Sequence, residues 1–171
     1  MAVLPILHYP DPQLKKLSQV VEHFDDELRQ LANDMVETMY DAPGIGLAAP
    51  QVGELKRLIV IDCAGKEEPP DLLIAVNPEI QAQAGESCEE EGCLSVPGYY
   101  AAVKRFNRVV LKYQDLDGQA RQREAEGLLA VAIQHEIDHL QGILFVDHLS
   151  PLKRSIFRKK YLKQQQQKVE A

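Results

Sequence analysis

Apolar positions along this chain follow two different periods. Leu28, Leu31, Met35 and Met39 recur every three to four residues, the spacing of a single buried stripe, and predict a helix over 25–40. Asp25 and Asp26 suit its positively polarised start. Further on, the stripe gives way to short runs rich in Ile, Val and Leu at 57–63 and 72–77, and to two runs at 103–115 and 119–126 that flank Asp117 and Gly118. These read as strands, and an Asp-Gly pair between two of them predicts a tight hairpin, because its residues accept a positive φ. The helical period returns over 127–140. A last helix is predicted from Ser150, whose hydroxyl can cap it, with Pro151 at its first position. Strands grouped between helices imply an α+β fold: mostly antiparallel strands packed around a central helix at 127–140, plus a C-terminal helix.

No linker divides this pattern. Residues 65–71 read as a loop and no internal repeat is present; 171 residues, 45% of them hydrophobic, suffice for one core. A single domain over 1–171, with a basic helix from about 150, is expected. With 26 acidic residues against 19 basic ones, the chain offers nucleic acid or an anionic membrane no global attraction, and sequence-specific nucleic-acid binding is not expected. A membrane span needs about 18 apolar residues, and neither such a run nor a signal-peptide core is present. The expected location is cytoplasmic, with no membrane partner. Cys63, Cys88 and Cys93 form an odd set without disulfide-scaffold spacing, so each reads as a buried thiol or a ligand.

The candidate chemistry lies in the 127–140 helix. His135 and His139 are about 40° apart around a helix that turns about 100° per residue, so both can bind one ion. In metallohydrolases an H-E-x-x-H segment sets its carboxylate against a metal-bound water, where it takes the proton and passes it on; Glu136 has that place. A charged solvent-facing helix with incidental histidines is the bland alternative, and the apolar run 127–133 opposes it. Leu128, Val131 and Ala132 lie on the face of His135, which would put the ion beside an apolar pocket. Core packing alone would also account for those residues.

Catalytic sites of this kind use three protein ligands and an open position. Phe145 stands where the longer H-E-x-x-H-x-x-G-x-x-H pattern needs its third histidine, and the only glutamate after Glu136 is Glu170. The third ligand therefore comes from upstream. Cys93 is the best candidate, because Gly92 lets the backbone approach the ion and a thiolate binds it strongly. Cys63 and Cys88 are expected to be idle or buried thiols, and His8, His23 and His148 surface groups or neighbours of the ligands. The segment 44–49 fits a dinucleotide fingerprint in letters but follows a helix and runs into Pro50, so it reads as a turn that presents the Gln51 amide. Glu91 and Arg105 read as a surface ion pair with no catalytic role. Asp138 reads either as an acceptor orienting a histidine ligand or as a solvated group.

Taken together, the segments Gly44 to Gln51, Glu91 to Ser95 and Gln134 to Leu140 resemble, in order, the three signature motifs of the peptide deformylase family, and the spacing and C-terminal helix are similar to its bacterial type. The resemblance implies removal of the formyl group from the formyl-methionine of new polypeptides, releasing formate. It implies one divalent metal ion, natively Fe2+, with Zn2+, Ni2+ or Co2+ possible in preparations. It implies Cys93, His135 and His139 as ligands, Glu136 as general acid and base, and Gln51 with the backbone N–H of Leu94 as donors to the oxyanion. Ile45, Gly46, Leu128, Val131 and Ala132 would contact the substrate methionine. Position 132 is often Cys in the family, so Ala132 implies a slightly roomier pocket wall.

Two rival readings are another metal-dependent peptidase or amidase on the same helix, and a metal-stabilised module that binds ribosomal RNA. The Cys93 motif disfavours the first; the second would use a fourth ligand and has no need of Glu136. Lys153, Arg154, Arg158, Lys159, Lys160, Lys163 and Lys168 face no acidic residue before Glu170. The resemblance implies that this helix docks on the ribosome. Leu152, Ile156 and Phe157 are expected to hold its start, so that ending the chain near Ser150 would spare the domain.

Overall fold

Leu58, Ile59, Val60 and Ile61 are all fully buried, and a strand that is apolar on both faces must be covered on both. The computed structural model, which describes residues 2–170 and all their side chains but those at 165 and 167–170, covers this strand with two helices. Helix α1 (Asp26–Asp41) sets Leu28, Ala32, Met35 and Met39 against Leu58 and Val60, while α2 (Leu128–Leu140) sets Ala130, Ile133 and Ile137 against Ile59 and Ile61. The strands are β1 (Gly46–Ala48), β2 (Leu58–Ile61), β3 (Leu73–Ala84), β4 (Ser87–Cys93), β5 (Val96–Arg105), β6 (Arg108–Gln114) and β7 (Ala120–Glu126), and helix α3 (Pro151–Glu170) follows. Five strands form one antiparallel sheet in the order β1-β2-β3-β6-β7, and β4 and β5 pair in a second. The fold is therefore α+β, with α2 between the large sheet and the small one.

The predicted helices hold to within a residue or so, and Asp25 caps α1 by accepting from the Leu28 N–H at 3.0 Å. The hairpin is also as predicted, with Gly118 at φ 82° between β6 and β7. The single strand expected over 103–115 is instead two strands in different sheets. Gln134 of α2 fixes the break: its amide accepts from the Phe106 N–H at 3.0 Å and donates to the Phe106 carbonyl at 2.7 Å. Strand β3 runs past the predicted end at Asn77, which adopts φ 50° at a register shift and spends its side chain on Val21 and Gln114.

Ser150 accepts from the Lys153 N–H at 3.3 Å, as its capping role requires. The anchoring of α3 differs from expectation. Leu152 and Ile156 are 72% and 46% exposed, whereas Phe157 and Tyr161 are 2% and 3% exposed. Phe157 packs against Tyr99 at a centroid distance of 4.5 Å and against Tyr9 at 5.3 Å. Two aromatic residues one turn apart thus dock the helix, and a chain ended at Ser150 would lose both. The side chains of Lys168 and Glu170 lie outside the described residues. Phe157→Ala is expected to destabilise the protein by about 3–5 kcal/mol, and Leu152→Ala to stay within about 0.5 kcal/mol, both measured by equilibrium denaturant unfolding.

Candidate active site

Helix α2 turns one face to the large sheet and the other to β4, and on that second face it buries three ionisable residues: His135, Glu136 and His139. Cys93 ends β4 opposite them. Its Sγ lies 3.4 Å from His139 Nε2, and one donor atom from each of Cys93, His135 and His139 falls within 4.8 Å of the others. A four-coordinate ion with a metal–sulfur bond of about 2.3 Å and metal–nitrogen bonds of about 2.0–2.1 Å has donor–donor edges of roughly 3.5 Å. One thiol and two imidazoles at such separations fit a single divalent ion. Thus the structure brings together the three residues singled out as ligands.

Cys93 and His135 are held by neighbours. The Ser95 N–H and the Gln51 side-chain amide point at Cys93 Sγ from 3.4 Å and 3.6 Å. Gln51 is fixed in turn, because its oxygen accepts from the Ala48 N–H at 2.9 Å, which leaves its NH2 to face Cys93 and the Ser95 hydroxyl at 3.0 Å. His135 donates through Nδ1 to Glu91 Oε1 at 3.0 Å, so its Nε2 is directed to the ligand cluster. His139 Nδ1 is buried with no partner among the described residues.

Glu91 and Arg105 are not the surface pair expected from sequence. Both are only 7% exposed, and the guanidinium binds the carboxylate through two bonds of 2.9 Å. Arg105 also donates to Asp138 at 2.6 Å, and Asp138 meets His148 at 2.8 Å. Asp138 therefore serves the arginine rather than a ligand histidine. Glu91 stands two residues before Cys93, but a register shift lies between them, so strand alternation alone does not place it beside the ligands.

Burial sets the electrostatics. Glu136 is 4% exposed, and burial pushes its carboxyl up to about 7, with His135 and Arg105 pulling against the rise. Burial drives His139 well below its ordinary value, which leaves a neutral ring with a free lone pair. His135 moves the other way, since burial is outweighed by the hydrogen bonds it makes to Cys93 and Glu91; surroundings that favour a proton on a ring nitrogen also favour a cation there. Burial works to raise Glu91, but His135 and Arg105 outweigh it and hold the carboxyl below its ordinary range. Burial also pushes the Cys63 thiol up to about 11, in keeping with an idle side chain, and Cys88 is exposed.

A cleft of about 1360 Å³ opens above these groups. Val131 and Ala132 lie at its base, 7% and 6% exposed, and Ile45 and Leu128 at its mouth, 45% and 57% exposed; Gly46, Leu94 and Gln51 also line it. The glycines of the 44–49 segment are there for close approach. A Cβ at Gly46 would lie 3.0 Å from Glu136 Oε1, and one at Gly44 would meet Leu94 at 2.8 Å.

Comparison with known proteins accounts for this arrangement. Residues 3–155 match the polypeptide deformylase family. The chain belongs to that family. It is 53% identical over 161 residues to the peptide deformylase of Thermodesulfovibrio yellowstonii, covering 94% of this chain and 98% of that one. It is 54% identical over 164 residues to that of Brucella suis, covering 95% and 94%. A crystal structure of a peptide deformylase from Legionella pneumophila superposes with a TM-score of 0.91 at 49% identity over 99% of both chains. One from Ehrlichia chaffeensis in complex with actinonin gives 0.90 at 39% identity, over 96% and 98%. As a polypeptide deformylase the chain is a metal-dependent hydrolase that removes the N-formyl group from nascent chains. No described helix is long and apolar enough to cross a membrane.

Removing one member of the Glu91–Arg105 pair leaves the other charge buried and unpaired. Arg105→Ala is therefore expected to destabilise the protein by about 3–5 kcal/mol in denaturant unfolding. Because the folded carboxyl of Glu91 lies below its ordinary 4.5, its contribution is complete above that value and is lost as pH falls through the lower folded one. Unfolding free energies measured from about pH 6 down to about pH 3 should therefore fall less steeply in Glu91→Gln than in the native protein.

Proposed function

We propose that Cys93, His135 and His139 hold one divalent ion, ferrous in the native enzyme, and that Glu136, Gln51 and Leu94 carry out the deformylation of formyl-methionine around it. A ferrous ion suits a donor set of one thiolate and two imidazoles. When bound, such an ion supplies Lewis-acid activation of water at neutral pH. What carries the proposal is Glu136, whose Oε2 is buried without a partner among the described residues while its carboxylate lines the cleft beside the three ligands.

The remaining steps belong to the protein. Glu136 accepts the proton released as water adds to the formyl carbon, and its raised affinity for a proton lets it keep that proton until the amine departs. Negative charge then gathers on the formyl oxygen. The Gln51 NH2, held by the Ala48 N–H through its other end, and the backbone N–H of Leu94 stabilise that charge without reorganising. Ile45, Gly46, Leu128, Val131 and Ala132 receive the methionine side chain in the apolar part of the cleft. Residues 1–171 act as one catalytic unit in the cytoplasm, where nascent chains emerge.

The basic residues of α3 are proposed to dock on ribosomal phosphates. Lys153, Arg158, Lys159, Lys160 and Lys163 are all exposed, while Phe157 and Tyr161 hold the helix to the domain. Since truncation at Ser150 would remove those two anchors, charge reversal is the cleaner probe. Lys159→Glu, Lys160→Glu and Lys163→Glu together should abolish salt-sensitive cosedimentation with ribosomes and leave formate release from short peptides within about three-fold; unchanged cosedimentation across a salt series would remove the ribosome from the reading.

The catalytic assignment separates by metal content. Cys93→Ala and His139→Ala are expected to lose bound metal and activity together, because each leaves two protein ligands. Glu136→Ala is expected to keep its metal while kcat for a formyl-methionyl peptide falls on the order of 10² to 10⁴. Metal analysis and formate release on the same samples check both, and a Cys93→Ala protein with full metal content would overturn the ligand set.

A further inference from the structure

Ala42, Gly44, Ile45 and Gly46 carry the chain along the cleft from the end of α1 to the start of β1. Ile45 is exposed there, so packing holds this segment from one side only. Its placement is nonetheless tight, since a Cβ at Gly44 would meet Leu94 at 2.8 Å and one at Gly46 the Glu136 carboxylate at 3.0 Å. Asp62, just past the end of β2, is bonded to both ends of the segment. Its main-chain N–H donates to the Ile45 carbonyl at 2.8 Å. Its carboxylate accepts from the hydroxyl of Tyr40, in the last turn of α1, at 2.5 Å. The other carboxylate oxygen accepts from the Ala64 N–H at 3.0 Å and the Asp71 N–H at 3.2 Å. Asp62 is 8% exposed, and no Lys or Arg pairs with it among the described residues. A carboxylate so far removed from water is costly without a cation, and these three donors are what offset the cost.

We propose that Tyr40 and Asp62 are positioning residues of the enzyme, a clamp that fixes the 41–46 segment and with it the width of the cleft that receives the peptide. The inference rests on the deformylase reading of the same site. The Ala42 N–H donates to the Thr38 carbonyl at 3.1 Å and the Gly44 N–H to the Met39 carbonyl at 2.8 Å, so the segment takes its position from the end of α1. The Tyr40 hydroxyl fastens that end to the large sheet through Asp62. The reacting groups are held by other means. Cys93 and Leu94 come from the end of β4, His135, Glu136 and His139 from α2, and Gln51 is fixed by the Ala48 N–H. Loosening the clamp therefore weakens the hold on the peptide and leaves the chemical step in place, which is a rise in KM at nearly constant kcat.

The test measures formate release from formyl-Met-Ala-Ser by the metal-loaded protein. Tyr40→Phe removes one hydroxyl from a half-exposed ring and is expected to raise KM about five-fold with kcat within about two-fold. Asp62→Ala should raise KM at least as far. Asp62→Asn should stay near native, because its oxygen can still accept from the Ala64 and Asp71 N–H groups while its NH2 donates to the Tyr40 hydroxyl. Leu28→Ala opens a cavity at the other end of α1, away from the cleft, and should lower stability without raising KM. Amide hydrogen exchange over 41–46, followed by mass spectrometry, reads the clamp without turnover and should be about ten-fold faster in Tyr40→Phe than in the native protein. The proposal is overturned if Tyr40→Phe keeps the native KM or the native exchange, or if its loss falls on kcat instead. It is equally overturned if Asp62→Asn is no better than Asp62→Ala, or if Leu28→Ala raises KM as much, since the effect would then belong to stability. If the metal-loaded native enzyme releases no formate, the deformylase reading fails first and this inference falls with it.

Discussion

Helix α2 has to be two things at once, and the burial of its polar face governs the structure around it. Ala130, Ile133, Ile137 and Leu140 make it the apolar partner of the large sheet, while His135, Glu136 and His139 are buried to almost the same degree on the other side. Ionisable groups removed from water without compensation cost several kcal/mol each. The small sheet supplies that compensation. It brings Cys93 and Glu91 from β4 and Arg105 from β5 against the helix, and the register shift between Glu91 and Cys93 lets one strand serve both histidines.

Charge is then passed outward in steps. His135 leans on Glu91, Glu91 on Arg105, Arg105 on Asp138, and Asp138 on His148, whose side chain is 38% exposed. Each group has an opposite or hydrogen-bonding neighbour, and exposure rises only at the end of the chain, from 4% at the Arg105 side chain to 19% at Asp138 and 38% at His148. A fixed Nδ1 partner also decides which nitrogen of His135 is presented to an ion, so the same chain of contacts that makes burial tolerable prepares the ligand.

Much of this was legible in the sequence, and what was not has identifiable causes. The stripe of α1, the Asp-Gly hairpin and the H-E-x-x-H face of α2 are local patterns, and local patterns survive folding. Strand β4 escaped notice because Ser87, Glu89 and Glu90 give it no apolar alternation; it pairs on one edge and borders the cleft, so little of it needs to be apolar. The break at Phe106 depends on Gln134, twenty-eight positions away, and no window of neighbouring residues contains it. Glu91 and Arg105 look like surface charges in the sequence because their burial is decided by α2. The anchors of α3 were misplaced for a related reason: Leu152, Ile156 and Phe157 are equally apolar as letters, and only the positions of Tyr9 and Tyr99 select Phe157 and Tyr161.

Glu136 is the exception that these compensations leave in place. Glu91 is tied by an arginine and a histidine, whereas Glu136 Oε2 has no partner among the described residues and its nearest histidine nitrogen is 3.8 Å from the other oxygen. Gly46 keeps it so, because any side chain there would press on the carboxylate at 3.0 Å or move it. The same side of α2 faces a Glu91 carboxylate with two partners, Arg105 and His135, so the fold has the means to satisfy this one, and a single neighbouring donor would hold the carboxylate ionised and immobile. Such a donor would also stop it from exchanging a proton. The local instability of an unpaired buried carboxylate is confined to the position where, under the proposed mechanism, the proton must be taken up and given back, and consistency elsewhere in the fold is what allows it there.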